Sequence, residues 1–247
     1  MDNSELLEPF ARMLGDVASP AEIRRIEAHG LAGPLWDAVE ASGYLDALVP
    51  EERGGVGLSL AQVEPMIRAL GQHAAPIEIA ETMVARGLQS NGALPRPIAA
   101  VIRAIMIAGA GERVLDMALA HANERVQFGK PIGKQQALQQ NLAVMGEQVI
   151  LARIAGQMGC RQGLEPSVTL AAVAKQVASA AVPVIASTAH AVHGAIGITA
   201  EFDLQLFTRR MHAWRAEQGS EGYWAREMGQ ARLAQAGSGT VSFIREI

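Results

Sequence analysis

Leu138, Leu142, Met145, Val149 and Ala152 step by four, three, four and three residues, and this rhythm constrains the fold more than any other feature of the chain. A helix turns about 100° per residue, so these five side chains share one face and require another helix to cover them. Long apolar stretches also run over 98–125, over 168–193, and from 202 to 234 with an interruption near Gly219. Pro183 lies inside the Ala-rich 168–193 stretch and predicts a kink or break there. Four long helices with short connections pack most economically as a four-helix bundle. Ahead of them, shorter helices are expected over 5–14, 21–29, 35–42 and 77–88. Ser59 and Gln62 have capping-box spacing and open a further helix that ends near Gly71. No stretch alternates for long, and aromatics are only 4% of a chain that is 49% hydrophobic. Strands draw on aromatic and β-branched residues, so an all-α fold with almost no sheet is expected. The Pro- and Gly-rich segment 89–97 reads as a linker. It divides the chain into an N-terminal helical domain, 1–95, and a C-terminal helical bundle, 96–247.

Charge and cysteine content narrow the function classes. A net charge of −4 without a basic run gives no reason to expect nucleic-acid binding. The single cysteine, Cys160, rules out an intrachain disulfide framework and fits a reducing cytoplasm, the expected location. It stands at no metal-ligand spacing and reads as a small packing residue, and no metal site is expected. The N-terminus shows no basic or apolar leader. The most apolar run, 98–110, is interrupted by Arg103 and falls short of the roughly 20 residues that span a bilayer, so no membrane insertion is expected.

Three segments carry chemistry. Arg125, Gln127, Phe128 and Gly129 are followed by Gln136, eight residues past the phenylalanine. An arginine presents a rigid fork of donors that matches phosphate oxygens, and an amide adds a further hydrogen bond. Ala191-Val192-His193-Gly194-Ala195-Ile196-Gly197 is a turn in which Gly194 and Gly197 permit close backbone approach. Val49-Pro50-Glu51-Glu52 and Gly54-Gly55-Val56-Gly57-Leu58 form a tight glycine loop. Together these segments resemble the acyl-CoA dehydrogenases, over nearly the whole chain. The resemblance implies FAD as cofactor, with Arg125, Gln127, Phe128 and Gln136 reaching across a subunit interface to it. It also implies that His193, Gly194, Ala195 and Gly197 form the turn against which FAD lies, although Ala191 and Ala195 replace that turn's glutamine and second glycine.

Two departures set this chain apart from the family. Where the family keeps its catalytic glutamate before a Gly-Thr pair, the chain reads Glu217-Gln218-Gly219-Ser220. Gln218 cannot abstract a proton, because an amide has no basic lone pair at neutral pH. Were the segment helical, Glu217 would be turned about 100° away. The alternative base position, on the helix before the arginine motif, holds Ile98-Ala99-Ala100-Val101. In addition, the β domain that the family carries between its helical domains needs on the order of 100 residues, and only the short linker stands there. The expected fold is therefore acyl-CoA-dehydrogenase-like without the central β domain. The expected function is that of a non-catalytic subunit in a heteromeric FAD-dependent acyl-CoA dehydrogenase. A full-length partner subunit would supply the base and the acyl pocket, bind the acyl-CoA and share the FAD. Similar two-gene enzymes act on bulky acyl-CoAs such as steroid side-chain thioesters. The alternative is a flavin-free helical scaffold or regulatory homo-oligomer. A third possibility, oxygenation chemistry, is disfavoured by the missing β domain.

Overall fold

The computed structural model describes residues 4–30, 33–76, 78–235, 237 and 239–247. Its N-terminal part holds α1 (Ser4–Val17), α2 (Pro20–His29), α3 (Gly33–Ala41), α4 (Leu60–Gln72) and α5 (Ile79–Leu88). Local chemistry explains their limits. Ser19 caps α2 by accepting from the Glu22 backbone N–H, with Pro20 at the first helical position, and Gly30 ends the helix at a φ of 68°. Ser59 and Gln62 form the expected reciprocal box at the head of α4. The glycine loop that precedes Ser59 is tight as anticipated, with Gly54 and Gly57 at positive φ. Ile77, expected to begin the fifth helix, lies outside the described residues.

The C-terminal part holds α6 (Arg96–Glu124), α7 (Gln136–Gly159), α8 (Val168–His193), α9 (Leu204–Ala216), α10 (Glu221–Ala234) and a short α11 (Thr240–Arg245). Among the described residues the strands are β1 (Val126–Gln127) and β2 (Lys130–Pro131), a two-residue antiparallel pair. The all-α class without a central β domain is therefore what the chain adopts. Helix α8 runs through Pro183 without interruption, contrary to the expected break. By length and composition 168–198 could cross a membrane, yet over half of its apolar window is buried inside the fold, where α8 packs on α6 and α7. Cys160 is buried beside the end of α7, its thiol pushed up to about 12 by burial, which suits a packing residue.

Helix α6 is the axis of the molecule. Every residue from Ile98 to Gly111 is buried except Arg103, as expected for a helix surrounded on all sides. It packs on α4, α7, α8 and α9. The contact with α4 is backbone to backbone: a Cβ on Gly71 would collide with the Met106 carbonyl, and one on Gly109 with that of Arg68. Arg68 then bridges the two helices, 2.8 Å from Glu112 and 3.2 Å from Glu64. Arg24 and Glu27 of α2 reach Asp203 and Arg209, at 2.7 and 2.8 Å, so the N-terminal helices are also tied to α9 and the turn before it. One continuous hydrophobic core runs from Phe10 and Leu14 through Ile102 and Ile105 to Trp214 and Trp224. The division at 95/96 stands as a proposal about folding units, with the core crossing it.

Candidate functional site

The end of α6 builds one wall of the site. Arg125 leaves helical geometry, at φ −70° and ψ 116°, and its carbonyl accepts from the Ile132 backbone N–H at 2.8 Å. The strands β1 and β2 close on Phe128 and Gly129, at φ 53° and 76°, the two left-handed positions of a type I′ hairpin turn. A bulky non-glycine residue in that region is strained. Phe128 is also 90% exposed, so the hairpin holds a large apolar ring in water with no intramolecular packing to justify it.

The end of α8 builds the other wall. His193 is buried, and its Nδ1 donates to the Ala189 carbonyl at 2.8 Å. Gly194, at φ 62°, turns the chain into a short 3-10 helix over 194–198. Between the walls lies a cavity of about 410 Å³, within the range typical of small-molecule sites. Arg125, Gln127, His193, Gly194 and Ala195 all line it. The other expected residues lie outside its lining. Phe128 projects into solvent from the hairpin tip, Gln136 is exposed at the head of α7, and Gly197 is buried behind His193 and Leu204.

One lining residue escaped the sequence analysis. His121 sits one turn before Arg125 on α6, and its ring stacks on that of His193 with centroids 4.6 Å apart. The i, i+4 spacing to Arg125 was the available signal. Burial, and then the neighbouring His193 and Arg125, hold the His121 ring below the ordinary histidine value, against a smaller pull from Glu124. The donors fit an anionic, phosphate-bearing group such as that of FAD. Among the described residues, the side chains of Arg125, Gln127 and Gln136 are engaged in no hydrogen bond or ion pair. Ala195 adds a methyl group to the wall where a glycine would leave space.

The segment 217–220, which the sequence resemblance aligns with the family base, departs from the helical picture. Glu217 ends α9 with ψ 144°, Gln218 is left-handed at φ 58°, and Gly219 follows at φ 99°, so no helical step separates Glu217 from Gln218. The Gln218 carbonyl accepts from Trp224 Nε1 at 3.0 Å. Lys175 Nζ donates to the Arg215 and Gly219 carbonyls, 2.9 Å each. Glu217 is turned toward Arg103, 2.5 Å from its Nε, and Arg103 also pairs with Glu81. Gln218, Arg103 and Glu81 line a second cavity of about 320 Å³, which Leu94, between α5 and α6, also lines. Burial raises the Glu81 carboxyl against the pull of Arg103. Among the described residues no group of histidine, cysteine and carboxylate side chains is placed to hold a metal ion.

Comparison with known proteins bears on the family and the fold. The family described as acyl-CoA dehydrogenase, C-terminal domain, matches residues 97–234. The acyl-CoA dehydrogenase IpdE2 of Mycolicibacterium smegmatis is 40% identical over 114 residues, 46% of this chain and 36% of its own length. The acyl-CoA dehydrogenase FadE34 of Mycobacterium tuberculosis is 35% identical over 155 residues, 61% of this chain and 21% of its own length. The matches thus span about a third or less of these relatives. Among solved structures, a chain of the ChsE4–ChsE5 complex from Mycobacterium tuberculosis superposes with a TM-score of 0.82 at 16% identity, over 95% of this chain and 98% of that one. A chain of the Tcur3481–Tcur3483 steroid ACAD superposes with a TM-score of 0.84 at 16% identity, over 96% and 99%. At such identities the likeness is one of fold.

Proposed function

This chain belongs to the acyl-CoA dehydrogenase family, and we propose that it acts there as a non-catalytic subunit, completing the FAD site of a full-length partner. The observation that carries this reading is an asymmetry. Side chains suited to a shared phosphate-bearing ligand, Arg125, Gln127 and Gln136, stand unpaired among the described residues. The base position holds Gln218 instead, beside an arginine already engaged by Glu81 and Glu217. Structural neighbours over nearly the full chain come from assemblies named for two different proteins, which supports a partner of the same family. FAD, when bound, supplies the hydride acceptor for α,β-dehydrogenation of an acyl-CoA. This chain contributes charge and hydrogen bonds to the phosphate side through Arg125 and Gln127, with Gln136 reaching from the head of α7. Gly194 and Ala195 offer backbone, and Phe128 an exposed ring for the partner to cover. The partner supplies the base, the β domain and the acyl pocket. A steroid side-chain thioester is the substrate class we favour, and the cytoplasm the location.

Affinity capture of this chain from its host, with the eluate read by mass spectrometry and flavin absorbance, tests the reading. A full-length acyl-CoA dehydrogenase with bound FAD is the expected companion. A colourless chain arriving without one refutes the proposal and favours a flavin-free scaffold, the reading that Ala191 and Ala195 support.

The non-catalytic assignment makes its own prediction. Gln218→Glu is expected to leave the isolated chain without acyl-CoA dehydrogenation, measured with a dye acceptor. The new carboxylate would enter a cavity already lined by Glu81, with the nearby Arg103 shared between two carboxylates. Measurable turnover by that variant alone would show that the acyl site survives within this chain.

A further inference from the structure

The cavity between the ends of α6 and α8 contains a residue that the cofactor motifs do not account for. His121 lies on α6 one turn before Arg125, which caps that helix, and both line the cavity. The His121 ring is held by stacking: its plane lies 32° from that of His193, which packs in turn on Phe202 at 5.0 Å. His193 donates from Nδ1 to the Ala189 carbonyl, and its Nε2 is buried without a partner. Neither nitrogen of His121 is used in a hydrogen bond among the described residues, so the ring is fixed in place while its polar atoms stay uncommitted.

The charged and titratable groups around His121 are Arg125 and Glu124 on its own helix and His193 on α8. Behind His193 stands His190, bonded through Nε2 to Thr208 at 3.0 Å, with His212 of α9 nearby. Glu124 is the one carboxylate in this set, so an empty cavity disfavours another positive charge. An entering diphosphate reverses that balance, because two phosphate negative charges outweigh the repulsion from Arg125.

We propose that His121 is a further ligand-binding residue of this cavity, taking up a proton from solvent as a diphosphate enters beside Arg125 and donating the resulting N–H to a phosphate oxygen. The inference rests on the reading that the cavity receives the diphosphate of FAD. It makes cofactor retention pH-dependent: affinity falls as pH rises from the free-state value of His121 to its raised bound-state value, since over that interval binding takes up a proton, and is level above it.

The test is a titration of FAD against the complex of this chain with its flavoprotein partner, across roughly pH 6 to 8, where the FAD diphosphate does not itself titrate. One coupled proton gives at most about tenfold per pH unit, and the wild-type complex is expected to lose about three- to tenfold in affinity across that range. His121→Phe preserves a stacked ring but cannot take a proton, so its affinity is expected to be flat with pH and to fall furthest below that of wild type at pH 6. Arg125→Ala, in parallel, reports on the cavity as a diphosphate site. If Arg125→Ala loses FAD while His121→Phe keeps the wild-type slope, His121 is only a packing residue and this inference falls alone. If Arg125→Ala keeps its FAD, or no complex with FAD forms, the underlying reading falls and this inference with it.

Discussion

Replacing Arg125 by alanine is expected to weaken FAD binding by the complex about 100- to 1,000-fold, so that the protein purifies colourless at micromolar concentration. Truncating one partner of a hydrogen-bonded charge pair costs about 2–5 kcal/mol, partly because the other charge is left uncompensated. The loss should appear in cofactor content and leave stability unchanged, because the Arg125 guanidinium is exposed and pairs with nothing among the described residues. Surface changes of that kind stay within about 0.5 kcal/mol. Arg125→Lys keeps the charge but not the planar fork, and an intermediate affinity is expected. The ratio of flavin absorbance to protein, read together with thermal unfolding, separates the two effects. A colourless variant with unaltered unfolding supports a cofactor role, and one that keeps its full flavin content eliminates it.

Lys175→Met is expected to destabilise the fold by about 2–4 kcal/mol at neutral pH, by a mechanism remote from the cofactor. Lys175 is fully buried, and its Nζ donates to Ser179 Oγ and to the Arg215 and Gly219 carbonyls, each at 2.9 Å. Those carbonyls flank the break between α9 and α10, where Gln218 and Gly219 are both left-handed. Methionine fills the space but leaves these groups without their donor, at about 1–3 kcal/mol for each group left unsatisfied. Removing a buried charge offsets part of the cost. At about 2–4 °C per kcal/mol, a fall in Tm near 10 °C is expected.

The pH dependence of this difference identifies its cause. Burial lowers the Lys175 amine from 10.5 to about 8. Between those values the unfolded chain holds a proton that the folded chain has released, so wild-type stability rises with pH across the window. The charge penalty is fully present below about pH 8 and gone above about 10.5, and amounts to about 3 kcal/mol at most. The gap between wild type and Lys175→Met, measured by denaturant unfolding, should therefore widen from pH 7 to pH 9.5. A gap independent of pH would mean that the amine titrates alike in the folded and unfolded chains, so that burying its charge costs nothing.

Much of this was legible in the residues. The helices were, because apolar period, capping residues and glycines are local properties: the Ser59–Gln62 box and the α7 stripe both formed where their spacing placed them. Arg125 and Gln127, and separately His193, Gly194 and Ala195, were legible as two local groups, and the fold brings both groups to one cavity. Of the kink or break expected at Pro183, the break does not occur, since a proline removes one backbone bond while the packing of α8 against α6 and α7 supports the rest. The strain at Phe128 was hidden, because a left-handed phenylalanine is not something residue preferences anticipate.

By itself, then, the amino-acid sequence determined the all-α class, the family, the absence of a central β domain and the presence of an amide, not a carboxylate, at residue 218. Each of these is a matter of which residue stands at which position, or of how many residues are present. Tertiary structure alone decided that His121 stacks on His193 and that Arg103 is shared by Glu81 and Glu217. It alone set Lys175 beneath the break that carries Gln218. Those contacts join residues 22 to 114 positions apart. Only the packing of the helices around α6 brings such residues into one low-dielectric place, where charge and hydrogen bonding govern what they can do.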